Sequence, residues 1–96
     1  MTERPLRELS TPPDAQEQGG DEVLRAFVVD GGLSIAIQRA FDDPATWGRL
    51  LMEVARYVAG LYGRESDISE EDALSEILRQ FEIEAANRDS GSGAIN

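Results

Sequence analysis

Residues 22–62 constrain the fold most, reading EVLRAFVVDGGLSIAIQRAFDDPATWGRLLMEVARYVAGLY. Two stretches rich in β-branched and apolar residues, 23–30 and 33–41, flank the Gly31-Gly32 pair. A two-residue glycine loop suits a primed turn, whose backbone needs positive φ, so a hairpin is expected. With that loop, Asp30 opposes Leu33, Val28 opposes Ile35 and Ala26 opposes Ile37. One face then carries Leu24, Ala26, Val28, Leu33, Ile35, Ile37 and Phe41. This is the expected core face. The other carries Val23, Arg25, Phe27, Val29, Ser34, Ala36, Gln38 and Ala40. Phe27 and Val29 are apolar residues on the more polar side of a small protein. With Ala36 and Gln38 they mark a candidate interface.

A helix follows at once. Asp43 suits the N-cap, and Pro44 suits N1, where its missing N–H costs nothing. Trp47, Leu50, Leu51, Val54, Val58, Leu61 and Tyr62 recur at helical spacing. Gly63 is the expected stop. Gly48, Met52, Ala55 and Ala59 lie beside the main stripe as a shallow seam, open to close approach by another helix. With Tyr57 on the far flank, the apolar arc exceeds what one hairpin can cover, so a second helix, a second subunit or both are required. Ser69 caps the second helix, with Asp72 at the capping-box position. Leu74, Ile77, Leu78, Phe81 and Ala85 form its stripe, which frays near Asn87.

Flanking segments differ in composition. Residues 1–21 hold Pro5, Pro12, Pro13, Gly19 and Gly20 among polar residues and read as a flexible arm. Residues 22–88 form the domain, and residues 89–96 (DSGSGAIN) read as a disordered tail. The expected class is α+β, a β-β-α-α unit with an antiparallel hairpin packed by two helices. Its free edges allow a four-stranded sheet across a homodimer. A folded unit this small is marginal alone, which favours self-association.

The composition removes much chemistry. There is no Cys and no His, and all nine cations are Arg. Thiolate, lysine Schiff-base and histidine-based catalysis are therefore excluded. A P-loop fails for want of its Lys. Ser and Thr lack a base to activate them. The net charge is −10, but it sits in the flanks. Residues 1–22 hold two Arg and six acids, residues 23–64 five and four, and residues 65–96 two and nine. An acidic chain repels phosphate backbones and anionic lipid, so neither nucleic acid nor membrane is an expected partner. No apolar leader or spanning segment is visible, and the cytoplasm is the expected compartment.

Asp42 and Asp43 as a metal or catalytic pair compete with simple helix capping, which fits better. Asp67, Ser69, Glu71 and Asp72 resemble the opening of a calcium loop. The pattern then fails, because Asp72 and Leu78 stand where Gly and Glu are needed. Trp47 and Tyr62 fall on the core stripe rather than in a pocket. No catalytic, cofactor or metal residues are assigned, and no cofactor is expected. The leading class is a non-enzymatic interaction or structural domain. An acidic regulator binding a basic protein is the alternative, and a carboxylate enzyme comes third.

The Glu-Val-Leu-Arg strand, the Gly-Leu start of the return strand, and the entry carried by Phe41, Asp43, Pro44, Trp47 and Gly48 resemble a family of short bacterial proteins. That family is known only as a domain of unknown function. The resemblance covers about half of the chain and implies its boundaries, without implying an activity or site residues.

Overall fold

A computed structural model describes residues 5–87. The order is α1 (Pro13–Gln18), β1 (Leu24–Val29), β2 (Gly32–Ile37), α2 (Pro44–Glu65) and α3 (Glu70–Ala86). The domain is α+β, an antiparallel hairpin followed by two long helices. The tail at 89–96 and the last domain residue, 88, lie outside the described residues. Helix α1, absent from the expectations, occupies part of the arm. Pro13 stands at its N1 position, and Gly19 ends it at φ +78°.

The hairpin turns at Asp30-Gly31 rather than Gly31-Gly32. Both central residues have positive φ, +51° and +80°. That is the signature of a type I′ turn, in which Asp-Gly is a favoured pair because Asp tolerates the left-handed region. Val28 therefore opposes Leu33, Ala26 opposes Ile35 and Leu24 opposes Ile37. The register slides by two residues from the expected one. A slide of two preserves side-chain parity, so both faces keep their expected membership.

Beyond β2 the chain bends sharply. The Phe41 N–H donates to the Arg39 carbonyl at 2.6 Å, across Ala40 at φ +60°. This is a γ-turn with a left-handed centre, a rare and strained form. Trp47 Nε1 donates to the same carbonyl at 2.7 Å. Its ring meets that of Phe41 edge to face, with centroids 5.4 Å apart. The exit of the hairpin is thus tied to the first turn of α2. Asp43 caps that turn, its carboxylate accepting from the Ala45 N–H at 2.9 Å.

Helix α2 passes through Gly63 and ends at Ser66. The Ser66 N–H and Oγ both donate to the Tyr62 carbonyl, and Oγ accepts from the Ile68 N–H at 3.1 Å. Gly63 is needed for proximity rather than termination. A Cβ there would lie 3.3 Å from both Cβ and N of Glu70. Ser69 caps α3 by accepting from the Asp72 N–H at 3.1 Å.

The expected order and class are present, but different surfaces meet. Among the described residues, the strands contact each other and α2 contacts α3, while the hairpin contacts neither long helix. The buried residues are Ala55, Ala59 and Gly60 on α2 and Ala73 on α3. Helix α3 thus takes the small-residue seam of α2, because glycine and alanine let two backbones approach closely. Leu51, Val54, Leu61 and Tyr62 of the main α2 stripe, and Val28, Leu33, Ile35 and Ile37 of the apolar hairpin face, stay open.

Candidate functional site

The hairpin divides the candidate surfaces into two faces. Phe27, Val29 and Ala36 lie on one, at register positions shared with Ser34, Gly32 and Arg25, and Gln38 follows just beyond β2. The fold therefore brings the four expected interface residues onto one side. Phe27 is half-buried, and the other three are exposed.

The arm leans over this side. Arg25 Nη1 donates to Glu8 at 2.7 Å, and Arg25 Nε donates to Glu22 at 3.0 Å. These bonds, to Glu22 first and then to Glu8, raise the Arg25 pKa above its ordinary value. Gln38 Nε2 donates to the Glu22 carbonyl at 2.9 Å. Between arm and β1 lies a cleft of about 590 Å³, with Leu9, Pro12, Leu24 and Phe27 in its wall. All the ion-paired groups are well exposed, so the pairs orient the arm more than they stabilise the fold. The sequence held one signal for this contact, an acid in the arm and a lone Arg amid apolar strand residues, but nothing local joined them.

The opposite face is the more apolar. Val28 is 66% exposed, Leu33 56%, Ile35 48% and Ile37 57%. It was expected to be the core. In the single chain it is an uncovered surface with no charged residue on it, as is the stripe of Leu51, Val54 and Leu61 on α2.

Acid–base chemistry finds little footing. Every described Asp and Glu is exposed. Asp43 is a helix cap, and Ser69 and Asp72 form the start of α3. Trp47, expected on the core stripe, is half-buried and serves the hairpin–helix junction, while Tyr62 is exposed on the stripe. No described helix is long and apolar enough to cross a membrane.

These features define a small hairpin-and-helix domain with open apolar faces and all its described acids in solvent. The chain belongs to the family described as Domain of unknown function (DUF5076), which matches residues 8–89. It is also similar to a solved structure described as that of "a putative pyruvate dehydrogenase from the photosynthetic bacterium Rhodopseudomonas palustrus CGA009". The two are 44% identical, the similarity covers 96% of each chain, and the TM-score is 0.76. A search of curated proteins returned no match.

Proposed function

We propose that this domain is a non-enzymatic protein-interaction module of the bacterial cytoplasm whose first partner is a second copy of itself. The uncovered apolar hairpin face carries this reading. A lone two-stranded hairpin is marginal in water and needs further strands or a packed layer. The two long helices of the same chain do not supply that layer. Neither outer strand edge pairs with another described strand, so two hairpins can join into a four-stranded sheet. The face of Phe27, Val29, Ala36 and Gln38 then points outward, and the part of it that the arm leaves open is the surface offered to another protein.

The description of the solved relative raises pyruvate dehydrogenation as an activity for this chain. Its residues argue for a different role. The chain has no His, Lys or Cys, and every described carboxylate lies in solvent, where general acid–base catalysis gains least.

Sedimentation equilibrium at tens of micromolar tests the self-association, with a dimer expected. A monomer would overturn it. Pyruvate turnover by the purified chain would overturn the non-enzymatic role.

A further inference from the structure

The area left open is large for a chain of this size. The protein exposes 8769 Å². A folded monomer of 10.5 kDa exposes about 5,400 Å². The residues outside 5–87 can be granted a full unfolded share of roughly 2,000 Å². The remainder still exceeds a compact domain of its length by about 1,800 Å². Two copies together hold roughly 3,600 Å² of such excess, within the range of obligate homodimer interfaces.

The excess includes two matched surfaces. The hairpin face presents Val28, Leu33, Ile35 and Ile37 along strands of six residues, about 20 Å long. The α2 stripe, from Trp47 to Leu61, runs about 21 Å. Its centre lies roughly 110° around the axis from that of the Gly48, Met52, Ala55 and Ala59 seam, so α3 leaves it open. Residues 23–64 carry five Arg and four acids, so two such regions can meet despite the −10 of the whole chain.

The connector explains why the two surfaces do not meet within one chain. Only residues 38–43 separate β2 from α2, and they are pinned by the γ-turn at Ala40 and the Trp47–Arg39 bond. A short, strained hinge of this kind favours exchange between copies over closure on itself.

We propose that the hairpin of each protomer seats its Val28, Leu33, Ile35 and Ile37 face on the α2 stripe of a second copy, around Val54, and receives the same contact in return. The interface is isologous, and each core is incomplete without the other chain. This proposal rests on the self-association reading and specifies its contact.

Complementation between variants tests it. Ile35→Asp spoils the hairpin face and leaves the stripe intact, whereas Val54→Arg does the reverse. Both positions are solvent-exposed in the single chain, so the helices should fold in each variant, and helical circular dichroism checks this. Each variant alone is expected to dissociate about 30-fold or more readily than the parent. Mixed one to one, they restore a heterodimer, because one contact joins an intact hairpin face to an intact stripe. Parent dimers with no restoration on mixing, or with variants that stay fully dimeric, would overturn the exchange while leaving self-association in place. A monomeric parent would overturn both.

Discussion

At the scale of single residues, a few positions set the backbone path. Asp30 and Gly31 both accept left-handed φ, and they place the turn one residue earlier than the Gly-Gly pair suggests. The difference is measurable. Gly31→Ala puts a Cβ on a residue at φ +80° and is expected to cost about 1–2 kcal/mol. Gly32→Ala should cost much less, since its Cβ would sit 3.7 Å from the Val29 carbonyl oxygen in ordinary contact. Urea unfolding of the two variants checks the order. The helix caps were more legible than the turn. Asp43, Pro44 and Ser69 act where they were expected, because a cap is a local hydrogen bond made by the residue that signals it. Gly63 misled, because glycine serves both helix ends and close approach, and the second role depends on a residue seven positions away.

At the scale of elements, the two long helices are held by absence of bulk. Ala59 is fully enclosed and Ala55 and Ala73 nearly so, while Leu51, Val54, Tyr57, Leu61 and Tyr62 of α2 face outward. The seam of small residues was visible as a pattern in the sequence, and so was the larger stripe beside it. Which of the two would take α3 was not visible. A small-residue seam gains from close backbone contact, and the long stripe offers more area, so periodicity alone does not rank them. Ala59→Leu tests the arrangement. A leucine there cannot fit against α3 and is expected to destabilise the domain by about 1–3 kcal/mol, read by urea unfolding followed at the helical circular dichroism band. The hairpin faces were likewise legible, since alternation alone assigns them and a register slide of two leaves them unchanged.

At the scale of the whole molecule, the hairpin and the helix pair share a covalent link and a pinned junction but no packed interface. The radius of gyration is 15.8 Å, against about 12.5 Å for a compact domain of this length. If a second copy completes the core, association stabilises the folded chain by mass action. The melting temperature is then expected to rise by a few degrees for each tenfold increase in protein concentration. It should respond little to salt, because the surfaces that meet carry no charge. A scan across concentrations with no shift would speak against a dimeric core. The amino-acid sequence by itself determined the two strands, the two long helices, their caps and the division of each into apolar and polar sides, because these rest on contacts between near neighbours. It also withheld histidine, lysine and cysteine chemistry, since the chain holds none of these residues. Only the tertiary structure decided which apolar sides are spent inside one chain. That choice depends on the strained six-residue connector and on how closely two backbones can approach, and hydrophobic periodicity encodes neither.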